Sequence, residues 1–130
     1  MAAAFDSKAA AAEVEAEIRR AFDAYETALV SNDVEALIAF FWEDPRAVRL
    51  GAAGGHYGFE EIADFRRGRD AGDVARELTR VEITALSADL GVANAEYRRT
   101  GSGRRGAQSQ VWMRTPAGWR IASAHVSLAP

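Results

Sequence analysis

Arg49 stands between two apolar residues, in Val48-Arg49-Leu50. Along a strand, successive side chains point to opposite faces, so the guanidinium and its neighbours separate. A guanidinium carries five donors in a planar fork and no acceptor, and it is no base at neutral pH. Its natural chemistry is two-point capture of a carboxylate. Tyr25 falls on the apolar stripe formed by Val14, Ile18, Phe22 and Leu29. A phenol placed there needs a hydrogen-bond partner and is suited to polarise a carbonyl or relay a proton. Gln108 and Gln110 share a strand face with Trp112, and their amides offer donor and acceptor to a urea-like molecule or to a partner surface. His125 runs in step with Trp119, Ile121, Ser123 and Ser127, and titrates in the useful range. Trp42, Tyr57 and Phe65 are aromatics suited to wall a dry pocket, or simply to fill a core. The basic run Arg66, Arg67, Arg69 reads as a solvated helix face.

Composition removes many alternatives. Cysteine is absent, which excludes disulfides, thiolate nucleophiles and cysteine-bound metal. His56 and His125 are the only imidazoles, so no metal centre is expected, and no cofactor motif is seen: there is no phosphate loop and no G-x-G-x-x-G unit. Fifteen of the sixteen basic residues are arginine, and the single lysine, Lys8, lies near the start, so Schiff-base chemistry is not expected. A net charge of −3 speaks against nucleic acid. No apolar run approaches the ~20 residues of a membrane span. The first residues lack the pattern of a signal peptide, so a cytoplasmic location is expected. At 130 residues the chain is expected to form one domain, with residues 1–12 as a flexible tail and 13–130 as the folded unit.

These residues need elements to position them. The apolar stripe predicts a helix from Glu13 to Val30. Asn32 and Glu35 have capping-box spacing for a second helix, carrying Val34, Leu37, Ile38 and Phe41 inward and ending near Asp44-Pro45. Ala47 to Leu50 is a short strand, and Gly51 to Gly55 a flexible turn. A third helix starts near Gly58. Four strands follow: Leu78–Leu86, Leu90–Arg99, Arg105–Arg114 and Trp119–Leu128. Short turns between them predict an antiparallel meander, hence an α+β fold with helices against a curved sheet. Leaving Val, Ala and Trp side chains on the uncovered face predicts a homodimer.

This order of elements resembles the ketosteroid isomerase-like, SnoaL-like or nuclear-transport-factor-like superfamily. Gly58-Phe59-Glu60-Glu61-Ile62-Ala63-Asp64-Phe65 matches its G-x-x-x-I-x-x-F helix. A closer resemblance is to the AtzH-like family, which includes oxalurate-catabolism proteins of the HpxZ type. It rests on Phe41-Trp42, Val48-Arg49-Leu50-Gly51, Phe65-Arg66, Gln108-Ser109-Gln110-Val111-Trp112, Gly118-Trp119-Arg120-Ile121 and Ala124-His125-Val126-Ser127. The resemblance implies a cystatin-like cone, about three N-terminal helices packed in a strongly curved, mainly antiparallel sheet, and a homodimer. It implies a cofactor-free enzyme of nitrogen catabolism, functionally linked to an amidase. One activity of the family is the decarboxylating hydrolysis of a dicarboxylated urea to allophanate. Arg49 would then hold a substrate carboxylate, with Arg66 adding a second contact, and Tyr25 would assist proton transfer. Ketosteroid isomerases place a carboxylate base where an ungapped alignment puts Arg49, so isomerase-type proton abstraction is not expected. If such chemistry occurred, Glu96 or His125 would have to be the base. The other reading is a non-catalytic, small-acid-binding or accessory subunit for an amidase.

Overall fold

The computed structural model describes residues 7–69 and 72–130. Helix α1 spans Lys8–Val30. It starts earlier than the apolar stripe implies, because the Ser7 side chain accepts from the Ala10 N–H at 3.1 Å and Ala9 to Ala12 are strong helix formers. Residues 8–12 of the expected tail are therefore helical, and residues 1–6 lie outside the described residues. The stripe itself is buried as expected: Val14, Ile18, Phe22, Tyr25 and Leu29 all face the core.

Helix α2 is short, Val34–Ala39. Its cap is Asp33, whose side chain accepts from the Ala36 N–H at 3.3 Å, not Asn32. Asn32 instead takes φ 54°, the left-handed turn that asparagine tolerates better than most residues. Phe41 is buried, but beyond the helix, where it bridges to Ile121. Strand β1 is Val48–Gly51 and β2 is Gly54–Tyr57, so the expected glycine turn is the tip and return arm of a hairpin. At Gly58, φ 91° turns the chain from β2 into helix α3, Phe59–Gly68, and an added Cβ would press on the Pro45 carbonyl at 3.3 Å.

The meander is β3 (Arg76–Ser87), β4 (Leu90–Arg99), β5 (Arg105–Thr115) and β6 (Gly118–Leu128). The hairpin joins it through β1, which runs parallel to β6, giving the order β2-β1-β6-β5-β4-β3. The three helices pack on one face of this six-stranded, mainly antiparallel sheet. Trp112, Trp119, Ile121 and Ala93 sit beneath α1 in the core. The tryptophans thus lie under the helices, not on the open face, which carries Asn94, Glu96, Ser109 and His125. Leu90, Val92, Val111 and Met113 alternate onto the same open face, so its apolar side chains come from valine, leucine and methionine and not from tryptophan.

Candidate functional site

Between the C-terminal half of α1, α3 and the sheet lies a cavity of about 50 Å³. Five arginines line it: Arg49 from β1, Arg66 from α3, Arg69 just beyond α3, Arg76 from β3 and Arg99 from β4. Tyr25, Tyr97 and Gln108 complete its polar wall. A neighbouring space of about 240 Å³ shares Arg49, Arg69, Tyr97 and Arg99 and adds Phe65, Ala52 and Ala53.

Arg49 is 6% exposed and Arg66 3% exposed. Among the described residues, neither has a carboxylate partner. The Nε and Nη1 of both lack any hydrogen-bond partner. The β1 alternation turns Arg49 inward and leaves Leu50 partly exposed, reversing the usual assignment of apolar and charged residues. Its guanidinium lies over the Phe65 ring at 4.4 Å. Arg66 donates from Nη2 to the Tyr25 hydroxyl at 2.6 Å. That oxygen is then an acceptor, so the phenolic hydrogen is left to be donated elsewhere. Burial, followed by repulsion from Arg66, pulls both Arg49 and Arg69 down to about 10. Both remain cationic at neutral pH.

The other two arginines are paired. Arg76 forks onto Glu26 at 3.1 and 2.6 Å and lies over the Tyr97 ring at 4.3 Å. Arg99 reaches Asp73 at 3.4 Å. Three guanidiniums, those of Arg49, Arg66 and Arg69, therefore face the cavity without an acidic partner among the described residues. An isolated buried charge is strongly unfavourable, and an anion is what would relieve it.

The structure brings Tyr25, Arg49, Arg66, Phe65 and Gln108 together and disperses the other candidates. Gln110 is in the core, where its Oε1 accepts from Trp112 Nε1 at 3.0 Å. Trp42 lies away from the cavity beneath Arg46, 4.7 Å from its ring. Tyr57 is 62% exposed and folds over Gly55. His125 is exposed on the open face. A bulge at Ala122 explains this. Val111 faces Ser123 while Trp112 faces Ile121, so the parity read from Trp119 inverts before His125. Glu96 is on the open face as well, so neither base named for isomerase chemistry reaches the cavity. Arg69, Arg76, Arg99 and Glu26 were missed, and Arg67 alone keeps the solvated role, paired with exposed Glu35. Arg69 leaves the helix as its extended cap and so reaches the cavity from outside the helical pattern. His56, opposite Arg49 in the hairpin, stacks on Phe65 at 4.2 Å. Burial, with Arg49 adding to it, depresses its pKa. Among the described residues no cluster of three or more metal-binding side chains occurs, and no helix is long and apolar enough to cross a membrane.

A helix-lined, curved sheet holding a cationic pocket is the nuclear-transport-factor-like, cystatin-like architecture. A Salmonella enterica protein of the nuclear transport factor 2-like superfamily shares the fold at 24% identity, with TM-score 0.73 over 89% of this chain and 91% of that one. The sequence model of the AtzH-like family matches residues 7–130, and the chain belongs to that family. A Pectobacterium atrosepticum protein of unknown function is similar at 45% identity, TM-score 0.87, covering 92% of this chain and 93% of its own. A cystatin-like fold protein from Burkholderia xenovorans is 38% identical, TM-score 0.84, covering 91% and 95%. The curated proteins contain no match.

Proposed function

We propose that this protein is a cofactor-free enzyme that removes carbon dioxide from a small N-carboxylated urea such as a dicarboxyurea. The observation that carries the reading is the pair Arg49 and Arg66, buried without an acidic partner beside a phenol whose hydrogen is free. Arg49 holds a substrate carboxylate by its fork. Arg66 orients Tyr25. The Tyr25 hydroxyl supplies a proton to the urea nitrogen that bears the departing carboxylate. The C–N bond breaks, its electron pair stays on nitrogen, and carbon dioxide leaves. Water restores the phenol, so the balance is one proton consumed and one N–H formed. The Phe65 face keeps the arginine end of the site dry, which strengthens its grip on the anion.

The test is mass-spectrometric product analysis on freshly prepared dicarboxyurea, with oxalurate, whose carboxylate is bonded to carbon and not to nitrogen, as the control that should keep it. Accelerated loss of carbon dioxide is expected, abolished by Arg49→Ala and lowered about 100-fold by Tyr25→Phe, the usual scale for a proton donor. Undiminished turnover in both variants would overturn these roles. One observation favours a second reading, a small-acid-binding or accessory subunit for an amidase. Glu26, behind the cavity wall, is engaged by Arg76 and Gln108, and among the described residues no carboxylate lines the cavity to serve as a base. Binding of the anion without turnover would select that reading. A homodimer is part of the proposal, and sedimentation as a monomer would remove it.

A further inference from the structure

Gln108 lines the cavity, and its amide meets two groups of opposite character. Arg76 Nη2 lies 2.8 Å from one end, and Glu26 Oε2 lies 3.2 Å from the other. A guanidinium has no acceptor, so the amide atom facing it must be the oxygen. An ionised carboxylate has no hydrogen, so the atom facing it must be the NH₂. The amide is therefore locked in one orientation. One of its N–H hydrogens goes to Glu26. The second N–H is left for the cavity, while the oxygen is held toward Arg76. Arg76 is itself fixed by the Glu26 fork and by the Tyr97 face, so the lock does not turn as a unit. Glu26 is not part of the cavity wall. It follows Tyr25 directly in α1 and sits behind Arg76 and Gln108, with its side chain 12% exposed.

We infer that Glu26 is a specificity-determining positioning residue that, together with Arg76, presents the Gln108 amide to the cavity as a hydrogen-bond donor. Arg49, Arg66 and Arg69 donate by nature, Tyr25 accepts from Arg66 and keeps its own hydrogen, and Gln108 donates because Arg76 holds its oxygen and Glu26 one of its N–H hydrogens. Such a donor-rich wall favours ligands whose polar ends accept. A terminal amide or amine turns N–H groups toward these donors, and burying unmet donors is strongly disfavoured. The inference rests on the anion-site reading above and deepens it. Decarboxylation turns an accepting end, N–COO⁻, into a donating end, N–H₂. The donor-rich wall thus holds the substrate and disfavours the product.

The experiment is calorimetric titration with three probes: malonate, monomethyl malonate and malonamate. The last two carry the same single charge, so their ratio reads hydrogen-bond character and not electrostatics. The wild type is expected to bind malonate, and to bind the ester about tenfold more tightly than the amide, the size of one unmet donor. In the double variant Glu26→Gln/Arg76→Gln neither fixing partner remains, Gln108 is free to turn its oxygen to the cavity, and the ratio is expected to fall to about one. Glu26→Asp keeps an acceptor-only partner beside Arg76 and is expected to keep the preference. A general loosening of the fold would weaken both monoanions together and leave the ratio in place. If malonate itself fails to bind, the anion-site reading falls. If malonate binds but the wild-type ratio is one or less, the inference is overturned, and this holds even if the double variant does not fold. A ratio unchanged in the folded double variant overturns it too.

Discussion

The two halves of α1 pack on the same sheet and reach opposite solutions. Toward its N-terminus, Ile18 and Phe22 are fully buried with Trp112 and Ile121, and Gly91 has no side chain because Ile18 Cδ1 would lie 2.4 Å from its Cβ. The polar atoms there are all met: Trp112 donates to Gln110, and Trp119 donates to Glu17 at 2.9 Å. Arg114 binds the same Glu17 oxygen, and these hydrogen bonds, that of Trp119 first, hold the Glu17 carboxyl below its usual range. Four residues past Ile18, the helix still presents apolar side chains. From Tyr25 onward it faces guanidiniums, and those of Arg49 and Arg66 lack acidic partners. One end is closed by complementary packing. The other is kept open by mutual repulsion and unmet donors, and the first stabilises the fold enough for the second to persist. That division is what a binding protein on a small domain requires, because net stability is only of order 5–15 kcal/mol.

The sharpest way to break the comparison is at the packed end. Trp112 is fully buried and touches the rings of Tyr25 and Phe40 edge-on, at centroid distances of 6.4 and 6.1 Å. Trp112→Ala is expected to destabilise the protein by about 3–5 kcal/mol, read by urea unfolding. Because Tyr25 rests on this ring, affinity for malonate should fall as well. Destabilisation under about 1 kcal/mol would mean that this end is not the anchor.

The arginines allow a comparison within the open end. Arg76 and Arg49 are both nearly buried, with a 6% exposed side chain for Arg76 and a 6% exposed residue for Arg49. They differ in partnership. Arg76→Met strands Glu26 and is expected to destabilise by about 3–5 kcal/mol. Arg49→Met removes a charge that no carboxylate answers, so it is expected to raise stability, by about 1–2 kcal/mol, while malonate binding is lost. Paired thermal and urea unfolding of the two variants checks the opposite signs. Two destabilisations of equal size would show that Arg49 has an unrecognised internal partner.

Local patterns in the sequence located the frame of this site better than its charge. The α1 stripe is a periodic signal over many turns, so Tyr25 was legible as an inward phenol. The alternation of β5 likewise grouped Gln108 and Gln110 with Trp112 on one face, although alternation alone does not say which face is buried. What failed depended on single events. One bulged residue, Ala122, inverted the parity of β6 and sent His125 outward. Glycines read as a turn became β2, because pairing with β1 and not side-chain propensity decides a hairpin arm. The arginine cluster was the least legible part. Arg76 and Arg99 are cross-strand partners in the β3–β4 hairpin, but Arg49 comes to them from β1 at the other side of the sheet, across a curvature that no local pattern encodes. The burial of so many cations also runs against the rule by which arginines are assigned to the surface.

The smallest expected effect tests that cluster without altering its shape. Arg49 and Arg69 are drawn down to about 10 by burial and by Arg66. At pH 8 both carry their charge, and an arriving dianion meets a fully protonated site. As pH rises through about 10 the free protein sheds these protons, whereas bound anion holds them in place. Binding must then take up protons, and affinity is expected to fall by about tenfold per pH unit for each guanidinium recharged. The measurement is malonate affinity from pH 8 to 11 in a Tyr25→Phe background, so that the phenol does not contribute. A shallow profile below pH 9 and a decline above it is expected. Surface arginines set the contrast: Arg46, hydrogen-bonded to Asp44, and Arg67, hydrogen-bonded to Glu35, are pushed upward and keep their charge across this range. Affinity that stays level to pH 11 would mean that the anion is held by cations of that second kind, on the surface and not in the cavity.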